Sequence, residues 1–68
     1  MKNIKITTEY ITLGQFLKFV GIISNGSEAK HYLSDNLVYV NSEKENRRGR
    51  KLYSGYKIKI SNNEYLVE

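Results

Sequence analysis

Arg47-Arg48-Gly49-Arg50-Lys51 sets four positive side chains in five positions. A guanidinium offers a planar fork of N–H donors that fits a phosphate through two hydrogen bonds, whereas an ammonium acts as a point charge. Arginine outnumbers lysine three to one in this run, a preference that solubility alone does not require. Residues 1–46 carry five lysines against five acidic residues, and residues 47–68 carry six Lys/Arg against Glu64 and Glu68. The whole net charge of +4 therefore belongs to this run and to Lys57 and Lys59 just after it. Such a localised cationic patch points to a polyanion, nucleic acid first. The plainer alternative is a solvated loop that only keeps a small protein soluble.

Other chemistry has little to work with. His31 is the only histidine and there is no cysteine, so nucleophilic catalysis and metal ligation lack their usual parts. The seven carboxylates are scattered, with Glu43 and Glu45 in a polar stretch, whereas paired acid–base work needs two carboxyls held in different environments. No Gly-x-x-x-x-Gly-Lys run cradles a nucleotide. The expectation is a protein that is not an enzyme, with no catalytic residue, no cofactor and no metal site. Ser24-Asn25-Gly26-Ser27-Glu28-Ala29-Lys30 allows two readings. Ordinary helix capping is one. The other is a phosphate held by the same N–H groups, with Gly26 permitting close approach and Lys30 adding charge. The six tyrosines are potential stacking platforms, but Tyr32, Tyr39 and Tyr65 stand at core-like spacings; Tyr10 and Tyr53 are less constrained.

The elements that must position these groups are legible from period and punctuation. Ile4, Ile6 and Thr8 alternate with polar residues, a half-buried strand pattern. Thr12 and Gln15 have capping-box spacing, Ile11 and Phe16 that of a hydrophobic staple. Leu13, Phe16, Leu17 and Val20 form one apolar stripe, and Gly21 suits the residue after a helix. A first helix is expected over 12–20. Ser24 or Asn25 caps a second, with Ala29, Tyr32 and Leu33 inward, Lys30, His31 and Ser34 outward, and Asp35-Asn36 at its end, Asn being tolerant of left-handed geometry. Leu37–Val40 is rich in strand formers, and residues 41–50 read as a long exposed loop. Leu52 and Tyr53 return to the core, Ser54-Gly55 turns, Tyr56, Ile58 and Ile60 alternate, and Ser61-Asn62-Asn63 makes a hairpin to Tyr65–Val67. The order is α+β, two helices against a small antiparallel sheet.

At 68 residues the chain is one domain, 1–68. No apolar run reaches the ~18 residues of a membrane span and no signal-peptide core opens the sequence. The lack of cysteine fits a reducing compartment. Cytoplasm, no membrane contact and a monomer are expected.

Several spaced motifs resemble one family. They are Leu13-x-x-Phe16-Leu17-x-x-x-Gly21, Ser24-x-x-Ser27-Glu28-Ala29-Lys30-x-x-Leu33, Val38-Tyr39-Val40-Asn41, Arg50-Lys51-Leu52 and Gly55-Tyr56-Lys57-Ile58. Their order over about residues 12–60 is similar to the S4 RNA-binding domain, and most to the short stand-alone bacterial YaaA-type S4 proteins. The resemblance implies an RNA-facing surface made by the two helices and the adjoining loop and strand. Carried over by position, it comprises Lys18, Ser24, Asn25, Ser27 and Lys30 from the helix pair, and Arg47, Arg48, Arg50 and Lys51 from the loop. Three positions depart from the family pattern: Thr12, where a basic residue is common, Ser42, where Gly is usual, and Tyr56, where an acid is usual. The first weakens any claim of contact at the start of the first helix; the others concern turn geometry.

The leading expectation is a non-catalytic module for structured RNA, ribosomal RNA above all, with a ribosomal subunit as partner and a role in ribosome assembly or translation. Two alternatives stand beside it: a protein-interaction module that docks an acidic partner, and a general DNA binder.

Overall fold

A computed structural model describes all residues, 1–68. The chain runs β1 (Lys2–Ile4), β2 (Tyr10–Thr12), α1 (Leu13–Phe19), a 3-10 turn (Gly26–Glu28), α2 (Ala29–Asp35), β3 (Val38–Val40), β4 (Glu43–Lys44), β5 (Lys51–Tyr53), β6 (Lys57–Ile60) and β7 (Asn63–Val67). Five strands form one sheet in the order β1-β7-β6-β3-β4, and β2 and β5 form a separate antiparallel pair. The class is α+β with a mostly antiparallel sheet. The exception is β1, which joins β7 in parallel through Lys2↔Tyr65, Asn3↔Leu66 and Ile4↔Val67.

Both helix starts follow their local signals. Thr12 accepts from the Gln15 N–H while the Gln15 side chain accepts from the Thr12 N–H, the reciprocal capping box. Asn25 and Glu28 repeat the arrangement before α2. Leu13, Phe16 and Leu17 of α1, with Ala29 and Leu33 of α2, point into a core completed by Val38, Val40, Leu52, Ile58, Ile60, Tyr65 and Val67. Phe16 meets Tyr65 edge to face with ring centroids 5.2 Å apart, a geometry aromatic quadrupoles favour. Gly21 ends α1 at φ +82°, where an L-residue would be strained.

Several expectations change. The alternation at Ile4 and Ile6 holds, since both pack against the core, but the paired strand is Lys2–Ile4, followed by an Ile6 N–H to Glu68 carbonyl bond of 2.9 Å. Asn36 is extended (φ −132°) rather than left-handed, and closes α2 through its side-chain and backbone N–H groups on the Tyr32 carbonyl. In the last hairpin the positive φ falls on Ser61, not on an asparagine. Tyr10–Thr12 forms a strand that no local pattern announces, because its partner lies some forty residues on.

The largest correction concerns residues 41–50. They are not one long exposed loop: Asn41 and Ser42, at φ +51° and +72°, make a two-residue turn that pairs Val40 with Glu43. Asn41 also ties itself to β6, accepting from the Lys57 N–H and donating to the Lys57 carbonyl. Ser42 thus adopts a backbone conformation that glycine reaches without steric cost. Ser42→Gly is expected to raise stability by about 0.5 kcal/mol, the relief of steric strain exceeding the entropy glycine loses on folding. A urea titration reads the difference, and an unchanged or lower midpoint contradicts it.

Candidate nucleic-acid interface

The basic loop is seated by its backbone. The Gly14 N–H donates to the Arg48 carbonyl at 2.9 Å and the Leu13 N–H to the Arg50 carbonyl at 2.8 Å. These are two of the first-turn amides that a helix leaves without internal partners. From Lys51 the chain continues as β5, antiparallel to β2, with Thr12↔Lys51, Ile11↔Leu52 and Tyr10↔Tyr53 in register. The loop therefore grips the helix start and the strand leading into it.

Gly14 is the point of convergence. A Cβ placed there lies 3.4 Å from the Arg48 carbonyl oxygen, 3.5 Å from the Arg48 Cβ and 3.5 Å from the Ala29 Cβ. The start of α2 and the basic loop thus meet across the first turn of α1. Lys30 follows Ala29 and is exposed, and Lys18 stands one turn along from Gly14 on α1, also exposed. Ala is accommodated at ordinary van der Waals distance, but a branched side chain must push the loop or α2 away. Gly14→Ala is expected to keep stability near that of the parent, whereas Gly14→Val costs about 1–3 kcal/mol. Thermal unfolding of the two variants checks this; equal melting for both contradicts the close packing.

The four loop cations divide into two kinds. Glu45 is buried, with its N–H on the Val38 carbonyl at 2.9 Å. Its carboxylate accepts from Arg47 Nε at 2.9 Å, Arg47 Nη2 at 3.0 Å, Arg50 Nη1 at 2.8 Å and the amides of Asn46 and Arg47. Arg47 keeps its outer edge in solvent, 72 % exposed, whereas the Arg50 side chain is only 26 % exposed and lies 6.0 Å from the Tyr56 ring centroid. Arg48 is exposed and makes no side-chain hydrogen bond or ion pair. Lys51 sets its Nζ 4.9 Å from the Tyr10 ring centroid. Tyr10, Tyr53 and Tyr56 form a chain of rings, each 5.7 Å from the next, that carries these cations.

The Arg47 hydrogen bond, then that from Arg50, holds the Glu45 carboxyl down at about 2 against the opposing effect of burial. The same contacts raise both guanidinium values. A depressed folded-state value means that the contact stabilises above the carboxylate's ordinary pKa, 4.5, and is lost as pH falls towards 2. Glu45→Gln is expected to cost on the order of 2 kcal/mol at neutral pH and to remove most of the parent's loss of stability between pH 4.5 and 2. Urea titrations of both proteins across that range test it; parallel acid profiles contradict it.

At the start of α2, Glu28 takes the position an incoming anion would need. Its Oε1 accepts from the Ser24 N–H at 3.1 Å, the Ser24 hydroxyl at 2.6 Å and the Asn25 N–H at 3.1 Å, which lowers its pKa. Asn25 Oδ1 accepts from both the amide and the hydroxyl of Ser27. Ser24, Asn25 and Ser27 are thus exposed but bound to one another and to Glu28. Sequence reasoning overlooked two residues. Gly14 left one clue, a glycine inside a helix where alanine is better by about 1 kcal/mol. Glu45 left another, an acid two and five positions from arginines.

Two short helices on one side of a small sheet, with a basic loop fastened to a helix start, define a small α+β domain with its cationic loop beside the helix pair. A family model described as S4 domain matches residues 4–68, and the chain belongs to that family. The match extends the resemblance from about residues 12–60 to all of β7 at one end and to Ile4, the last residue of β1, at the other. A relative is the "Probable ribosome maturation protein RlbA" of Bacillus subtilis (strain 168), 56 % identical over 57 residues that cover 84 % of this chain and 80 % of the relative.

Proposed function

We propose that this chain is a non-catalytic RNA-binding protein that contacts structured ribosomal RNA during ribosome maturation. The observation that carries the reading is the junction at Gly14, where Arg48 and Ala29 meet, with exposed Lys30 following Ala29 and exposed Lys18 one turn along α1. Membership of the S4 family and likeness to a protein named for ribosome maturation support it. Arg48 and Lys51 supply free charge for phosphates, and the outer edge of Arg47 adds to it. Arg50 acts mainly by holding the loop through Glu45 and Tyr56. Lys18 and Lys30 extend the surface along the helix pair. Ser24, Asn25 and Ser27 contribute the Asn25 amide N–H2 and the hydroxyl lone pairs, their backbone N–H groups and both hydroxyl protons being engaged with Glu28 and Asn25. Such contacts position a folded RNA by backbone and shape more than by base sequence. Cytoplasm and a monomeric state accord with this role.

The test is a salt series of binding to ribosomal RNA fragments. Arg48→Ala and Lys51→Ala are each expected to lower the slope of log K against log salt by about one unit with stability intact. Arg50→Ala is expected to lose stability as well, on the order of 1–2 kcal/mol. Unchanged slopes in Arg48→Ala and Lys51→Ala overturn the loop assignment. Preference for duplex DNA at equal salt, or partners retained from lysate after ribonuclease, overturns the RNA reading in favour of a DNA binder or an acidic protein partner.

A further inference from the structure

The helices cover one face of the five-stranded sheet; the other face is open. On β6, Ile58 and Ile60 are buried, so Lys57 and Lys59 project from the open side. Tyr39 lies between buried Val38 and Val40 on β3 and faces the same way, half-buried. The register sets Lys59 directly opposite Tyr39 on one side and Lys44 opposite it on the other. Residues directly opposite across neighbouring strands have Cβ atoms about 5 Å apart. A row of Lys44, Tyr39 and Lys59 therefore crosses three strands, with Lys57 two residues from Lys59 along β6.

Around Tyr39 three lysines, Lys44, Lys57 and Lys59, face one carboxylate, Glu64. Glu64 stands opposite Lys59 in the β6–β7 register, yet the ion pairs of the molecule are the two on Glu45, and none of the three lysines joins one. A concavity of about 340 Å³ lies over the face, bounded by Tyr39, Lys57, Ile58 and Lys59 with Ser42 and Glu64. It falls at the small end of the range for ligand sites. Lysines that served only solubility would have no need of an aromatic ring between them. A ring flanked by cations on a pleated surface instead suits an unpaired nucleotide, whose base stacks on the ring while its phosphates meet the ammonium groups.

We propose that the open sheet face is a second nucleic-acid site, which takes a single-stranded RNA segment with a base on Tyr39 and phosphates on Lys57 and Lys59. Lys44 extends the charge toward β4. The site lies across the sheet from the helices and involves none of Arg48, Lys51, Lys18 and Lys30, so it stands or falls apart from the loop surface. With both faces engaged, one molecule holds a folded RNA element and a neighbouring unpaired strand together.

The test uses a labelled single-stranded decauridine, read by fluorescence anisotropy and by amide chemical shifts of the full chain. Binding is expected to move the amides of Tyr39, Lys57 and Lys59. Tyr39→Leu, which keeps a strand-compatible apolar side chain, is expected to weaken binding about fivefold or more with the salt slope unchanged. Lys57→Gln with Lys59→Gln is expected to lower the slope by about 1.4. Arg48→Ala with Lys51→Ala is expected to leave the sheet-face shifts in place, which separates this site from the loop surface. Shift changes confined to the loop and helices overturn the proposal. So does parent-like decauridine binding by both sheet-face variants, or equal competition by polyglutamate, which has no base to stack. Folding of each variant is confirmed by its amide spectrum before titration.

Discussion

A helix begins with backbone N–H groups that its own turns leave unpaired. In α1 the first of these are met from far along the chain, by the carbonyls of Arg50 and Arg48, while Thr12 receives the third. Much else is arranged around that seat. It aligns β5 with β2, brings Arg48 against Gly14 and sets the cations beside the start of α2. A loop with four like charges in five residues has every electrostatic reason to spread into solvent. Two backbone hydrogen bonds and a short strand pair hold it in place.

Glu45 makes that placement tolerable. Its carboxylate stands inside the curve of the loop and accepts from two guanidiniums and two amides, so the local repulsion is met by a charge from within the fold. Removing one partner of a buried ion pair costs more than the pair contributes net, because the remaining charge is left uncompensated. The division of labour among the cations follows. Arg50 is largely enclosed and Arg47 half-committed, whereas Arg48 gives the helix only its backbone and keeps its side chain free. The two sides of the sheet carry charge differently as well. On the helix side, cations gather around a buried carboxylate; on the open side, lysines flank a tyrosine with no anion joined to them.

Features set by neighbours in sequence were legible without a structure. Thr12 with Gln15 and Asn25 with Glu28 formed both capping boxes, and Gly21 took the positive φ expected after a helix. Ile58 and Ile60 alternated with Lys57 and Lys59 as a strand with one buried face must. What escaped depended on partners distant in sequence. Tyr10–Thr12 is a strand because of Lys51–Tyr53, and β1 is parallel because β7 returns beside it. Glu45 looked like one more charge in a polar run; its burial follows from the Asn41-Ser42 turn and its bond to Val38.

By itself the sequence determined that a small α+β domain would form and that its excess charge would be concentrated in Arg47-Arg48-Gly49-Arg50-Lys51. Both follow from residue type, period and caps, which act over a few positions. Only the tertiary structure decided which of those cations face outward and that Gly14 is where loop and helices meet. Those outcomes turn on contacts between segments far apart in the chain, whose register is settled by burial of the shared core rather than by any local preference.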